Sequence, residues 1–169
     1  MVQKISTWIP QLTLRFAQAQ DVPLVYSFIE KLADYEKRLN QVVVTETTLH
    51  EALFGERPVA EVIFADYNDE PVGFALFFHT FSTFSGRIGI YIEDLFVDPD
   101  MRGKGIGRTM LTYLAKLVEI RGGRKLEWTV LDWNEPALNF YKKLGAYAKD
   151  EWIIYQIDDD ALHQLAREF

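Results

Sequence analysis

Three glycines spaced by one residue, Gly103, Gly105 and Gly107, follow an apolar run that ends at Asp98-Pro99, and they constrain the fold more than any other feature. Glu93-Asp94-Leu95-Phe96-Val97 reads as a strand and Pro99 marks its turn. Beyond the glycines, Ile106, Met110, Leu114 and Leu117 lie on one face of a helix running to about Glu119. Glycines at a helix entry let backbone N–H groups close on an anion, and the helix N-terminus adds partial positive charge. Arg102, Lys104 and Arg108 strengthen that field. The ligand implied is a phosphate or pyrophosphate.

Two common phosphate motifs fit poorly. A P-loop requires Gly-Lys followed by Ser or Thr, and Lys104 is followed by Gly105. A dinucleotide fingerprint finds its first two glycines in Gly103 and Gly105 and an acid in Glu127 about twenty residues on, but Arg108 stands where the third glycine belongs. An antiparallel hairpin also precedes the unit.

The remaining pattern sets the fold class. Leu12, Leu14 and Phe16 alternate with polar residues as a strand. Asp21 caps a helix carrying Val25, Phe28, Ile29 and Leu32, and Thr45 caps a second helix ending near Gly55. Val59 to Tyr67 and Pro71 to Phe81 form a hairpin about Asn68-Asp69, and Ile88 to Val97 follows. After Arg121-Gly122-Gly123, Lys125 to Leu131 reads as a strand. Ala137, Phe140, Tyr141 and Leu144 then make the stripe of a short helix stopped by Gly145. Trp152 to Ile157 is expected to be a strand, with a last helix capped in Asp158-Asp159-Asp160. The order β-α-α-β-β-β-α-β-α-β-α predicts an α/β fold with a mixed, mostly antiparallel central sheet and helices on both faces.

At 169 residues, with 49% hydrophobic and 25% charged residues, the chain suits a single globular domain. Residues 11–169 are assigned to it, behind a short N-terminal extension, residues 1–10, that does not read as a signal peptide. No apolar run is long enough to span a membrane. The absence of cysteine excludes disulfides and thiolate chemistry and is compatible with the cytoplasm. A net charge of −7 without a basic stripe argues against nucleic acid and leaves cationic small molecules as easier partners. His50, His79 and His163 lack neighbours at metal-ligand spacing, so no metal is expected.

Arg102-x-x-Gly105-x-Gly107 resembles the coenzyme A pyrophosphate loop of the GNAT family of N-acetyltransferases. Ile92-Glu93-Asp94, Asp132-Trp133-Asn134-Glu135, Phe140-Tyr141-Lys142, Leu32-Ala33-x-Tyr35-Glu36 and Phe54-Gly55-Glu56-x-Pro58 extend the resemblance to its diamine branch, the spermidine/spermine and thialysine enzymes. It covers the chain from about Leu12 onward. It implies acetyl-CoA as co-substrate, an amine acceptor, direct transfer through a ternary complex and a homodimer; Trp128, Trp133 and Trp152 suit either a buried dimer interface or a monomer core.

Such a transfer must deprotonate an amine of pKa near ~10, stabilise an oxyanion and protonate a departing thiolate. By resemblance Glu93 is the general base, acting through water, and Tyr141 the general acid toward sulfur; Tyr141 on its apolar stripe also reads as core. Asp94 would attract the cation. Strand alternation puts Glu93 and Asp94 on opposite faces, so at most one is expected at the reaction centre. The resemblance assigns Leu95, Phe96 and Val97, the loop Arg102-Gly103-Lys104-Gly105-Ile106-Gly107-Arg108, and Asn134, Glu135, Pro136, Ala137 and Tyr141 to the coenzyme. Leu95 and Val97 would offer backbone groups to pantetheine with their side chains in the core, and Asn134 is also a natural N-cap.

Tyr35, Glu36, Glu127, Trp128 and Thr129 match substrate positions. Tyr35 equally suits packing, and Glu36 a solvated helix end. Where the spermidine/spermine enzymes carry acids, this chain has Lys37, Arg38, Leu39 and Asn40, and likewise Ser82. Fewer carboxylates face a long polycation, so a small diamine or amino-acid-like amine is the leading substrate. A coenzyme A-binding sensor without transferase activity, and an enzyme acting on protein termini or lysines, remain alternatives.

Overall fold

Alternating apolar residues and one parallel crossover build the sheet seen in the computed structural model, which describes residues 3–169. Met1 and Val2 of the expected extension lie outside the described residues. Two compact units are formed, one up to Thr129 and one from Val130.

The first unit is a six-stranded sheet in sequential order: β1 (Ile5–Ser6), β2 (Leu12–Phe16), β3 (Glu61–Tyr67), β4 (Glu70–Ser82), β5 (Arg87–Val97) and β6 (Lys125–Trp128). All neighbours are antiparallel except β5 and β6, which the crossover helix α3 (Ile106–Ile120) makes parallel. The Asn68-Asp69 turn closes the β3–β4 hairpin with φ of 52° and 67°, the positive pair that a tight two-residue hairpin requires. The extension is partly a strand: Ile5 and Ser6 pair with Leu14 and Thr13 of β2.

Helices α1 (Val22–Tyr35) and α2 (Glu46–Phe54) cover one face of the sheet. Val25 and Phe28 of α1, Leu49 and Leu53 of α2 and the strand residues Phe64, Phe74 and Phe96 form one buried cluster. Phe28 stacks on Phe74 with centroids 5.3 Å apart, and burying one such ring is worth roughly 1.5–3 kcal/mol. The opposite face belongs to α3. There Phe16 meets Tyr113 edge-on at 6.3 Å, and Ile106, Met110 and Leu114 are buried.

Thr45 caps α2 as expected, accepting from the Thr48 amide. Asp21 stands at the N-cap position of α1 but points elsewhere. Its carboxylate accepts from the Gln18 amide and from Arg15, 2.8 Å each, while Arg15 Nε also reaches Asp66 at 2.8 Å.

The second unit holds α4 (Glu135–Lys143) and α5 (Asp159–Ala166). Asn134 caps α4, accepting from the Ala137 amide at 3.3 Å, and Gly145 at φ 86° follows its end. Here the expectation for Trp152–Ile157 is corrected: the segment is not a strand. No residue from 130 to 169 is buried, and Ile153, Ile154 and Tyr155 are 77%, 77% and 90% exposed. A strand exists only as one side of a hydrogen-bonded ladder, and an apolar run alone does not supply the other side. The strand expected from Lys125 to Leu131 likewise stops at Trp128.

Candidate active site

The site begins with a fault in the sheet. Leu76 pairs with Asp94, but Phe77 pairs with Ile92, so Glu93 is an extra residue in β5. Such a bulge resets the alternation. Ile92 packs on the face of its partner Phe77, whose ring lies 6.0 Å from the Arg121 guanidinium at the end of α3. Asp94 takes the face of its partner Leu76, which packs against the α1 cluster. The alternation of an unbroken strand therefore does not assign the faces of these two acids. They act on each other electrostatically while Glu93 remains exposed.

Asp94 is the chemically distinctive member. Burial, then the negative charges of Glu93 and Glu36, push its carboxyl from the ordinary 3.8 up to about 7. Glu36 comes from the far end of α1, whose geometry is specified closely. The Arg38 amide donates to Ala33 O at 2.7 Å and the Lys37 amide to Asp34 O at 3.0 Å, the paired bonds of a helix terminus that needs a left-handed residue. Lys37 fills that position with φ 60° although it has a Cβ. Glu36 also puts a negative charge at the negative end of a helix dipole. Both choices disfavour stability locally, beside the carboxylate whose charge acts on Asp94.

Tyr35 is held from two sides. It packs against the α1 core, and its ring lies 4.5 Å below the Arg102 guanidinium. Arg102 Nε donates to Val97 O at 3.0 Å, at the end of β5. Lys104 is also held, 3.3 Å from the Met101 sulfur and 5.4 Å from the Tyr67 ring centroid.

The loop has the backbone of an anion cradle. Gly103 and Gly105 adopt φ of 76° and 83°, and Gly105 is the N-cap of α3 with no side chain to occupy the first-turn amides. A Cβ on Gly103 would meet nothing within 4 Å, so that residue opens outward; one on Gly105 would lie 3.4 Å from Ile9 Cδ1. Beside the loop, β6 pairs with β5 only from Gly89 to Ile92. From Glu93 to Val97 that edge of β5 carries no strand, which suits an extended ligand seeking backbone hydrogen bonds. Leu95 and Val97 are half-buried there rather than core as expected; Phe96 is the buried one.

The other expected substrate residues divide. Glu127 is committed to Lys125 at 2.5 Å, and Thr129 Oγ1 lies 3.4 Å from the Tyr91 hydroxyl. Trp128 ends β6, half-buried. In the second unit, Asn134 is spent on the cap. Glu135 and Pro136 open the first turn of α4, where an acid and a proline are both favourable, and Ala137 and Tyr141 lie half-buried on its stripe.

Residues 27–146 match the Acetyltransferase (GNAT) family. This chain belongs to the GNAT acetyltransferases. Among similar proteins is a thialysine N-epsilon-acetyltransferase of Bos taurus, 34% identical over 90% of this chain and 96% of that one. An L-ornithine N5-acetyltransferase of Arabidopsis thaliana is 28% identical over 90% of this chain and 86% of that one. Among solved structures, an integron cassette protein from the mobile metagenome of V. cholerae shares the fold with a TM-score of 0.77 and 28% identity, covering 93% of this chain and 98% of that one.

As a GNAT acyltransferase, the chain carries site features that its residue pattern did not announce. The bulge at Glu93 follows from how β5 registers on β4, so no local signal marks it. Arg102 over Tyr35 was hidden because both residues had other roles. Ile9 against Gly105 ties the N-terminal segment to the loop, supported by Thr7 Oγ1, which donates to Leu12 O at 2.8 Å and accepts from the Ile9 amide at 3.1 Å. A Thr two residues before Ile9 is a signal that could have marked that turn.

Proposed function

We propose that the chain transfers the acetyl group of acetyl-CoA to the primary amine of a small diamine or amino-acid-like substrate, within a ternary complex. The carrying observation is that β5 runs from a half-buried, charge-loaded carboxyl at Asp94 directly into the glycine-rich start of α3. One stretch thus joins an acceptor for a cationic amine to a cradle for an anion. Similarity to enzymes named for thialysine and ornithine, both amino acids with a side-chain amine, favours that substrate class over long polyamines.

Acetyl-CoA would bring an activated acyl group, and the protein's residues would do the rest. Arg102 to Arg108 would hold the pyrophosphate on the amides of the α3 N-terminus. The open edge of β5 from Leu95 to Val97 would take the pantetheine arm, and the family resemblance assigns Asn134 to Ala137 to the coenzyme as well. Glu36, Glu93 and Asp94 would attract the ammonium, with Tyr35 walling the pocket and Glu127, Trp128 and Thr129 on its far side. One carboxylate at the bulge would take its proton, and the Tyr141 phenol would protonate the leaving sulfur. Residues 11–169 would act as one catalytic domain, since the family match runs across Val130. The proposed assembly is a homodimer, supported by the exposed apolar run Trp152, Ile153, Ile154 and Tyr155.

The test is thiol release from acetyl-CoA with thialysine, ornithine, short diamines, spermidine and lysine peptides. Turnover concentrated on the first three is the expected result, and turnover confined to peptides would refute it. Light scattering should give the dimer mass; a monomer mass at working concentrations would end the dimer proposal.

A further inference from the structure

We propose that Asp94, and not the exposed Glu93, is the group that takes the proton from the incoming ammonium, with Glu36 at the end of α1 as its positioning residue. The inference rests on the amine-acetylating function proposed above. Four observations carry it. The bulge at Glu93 turns Asp94 onto the α1 face, opposite Leu76. Glu93 itself stands exposed to water. The end of α1 spends a strained Lys37 and an unfavourably placed Glu36 on bringing a second carboxylate toward Asp94. Burial and these neighbours raise the Asp94 carboxyl to about 7, where a general base works best at neutral pH.

The groups facing Asp94 agree with this assignment. Glu93 on its own strand and Glu36 from α1 are negative, while the β4 partner Leu76 is apolar. Two cations of the first unit have other partners: Arg102 is on Val97 O and the rings of Tyr35 and Phe96, and Lys31 bonds Asp98 at 2.9 Å. A positive substrate would supply a counter-charge to these acids. In the step, an N–H bond of the ammonium breaks and an O–H bond forms on Asp94. The electron pair stays on nitrogen, which is then free to form the N–C bond to the acetyl carbonyl. The proton on Asp94 leaves to water past Glu93.

The experiment pairs a carboxyl titration by carbon NMR of the ligand-free protein with pH profiles of kcat. Asp94 should titrate near 7, and Glu36→Gln should move that titration downward. Asp94→Asn should lose turnover by about 100-fold or more together with the acid limb of the profile. Glu93→Gln should retain that limb at a reduced rate. The assignment is overturned if Asp94 titrates in the ordinary carboxylate range, or if Glu93→Gln abolishes the limb while Asp94→Asn keeps it. Should the wild-type protein acetylate no amine, the proposed function fails, and with it the proton-transfer role. The titration separates the two failures, because it reads the coupling of Asp94 to Glu36 without any turnover.

Discussion

Replacing Asp94 with Asn should make the protein more stable, and increasingly so as the pH rises. In the folded chain the Asp94 carboxyl is raised from 3.8 to about 7, chiefly by burial. The native state therefore binds its proton more tightly than the unfolded chain does, and stability falls as pH climbs through that window. At about 1.4 kcal/mol per pKa unit the full penalty is about 4 kcal/mol above neutrality. Linkage reduces it to about 1.7 kcal/mol at pH 5 and to about 0.5 kcal/mol near pH 4. A neutral amide of the same shape does not titrate, so Asp94→Asn escapes the pH-dependent part. Urea unfolding followed by tryptophan fluorescence should show the variant's advantage growing by roughly 2–3 kcal/mol between pH 5 and pH 8. An advantage of the same size at both pH values, or a variant less stable at pH 8, would refute the reasoning. The same substitution is expected to remove turnover, the exchange of stability for function seen where an active site holds a group against its preference.

Lys37→Gly should stabilise by about 1 kcal/mol, because φ 60° costs a residue with a Cβ and not glycine; thermal unfolding with no gain would count against a strained helix end. Gly105→Val should abolish acetyl-CoA binding in calorimetry and cost about 1–2 kcal/mol of stability, since the left-handed backbone at φ 83° is unfavourable for valine. Unchanged affinity would remove the loop from the proposed cradle. Tyr141→Phe should keep that affinity and lose most turnover, and a parental rate would leave Tyr141 a packing residue.

What the residues determined alone was local. Gly103 and Gly105 permit the left-handed backbone found there, so the loop and the start of α3 were legible. The Thr45 and Asn134 caps and the Asn68-Asp69 turn likewise depend on neighbours within four residues. Helix faces and most strands followed from periodicity, which encodes which side is dry. The quoted motifs also identified the family. Tertiary structure decided what depends on pairing between distant segments. The extra residue at Glu93 exists only relative to β4, and it interrupts the alternation from which the faces of Glu93 and Asp94 were read. The proton affinity of Asp94 depends on burial and on Glu36, fifty-eight positions earlier, reaching it from another helix. Trp152–Ile157 carried the composition of a strand and became none, because a ladder needs a second edge and no residue can supply its own.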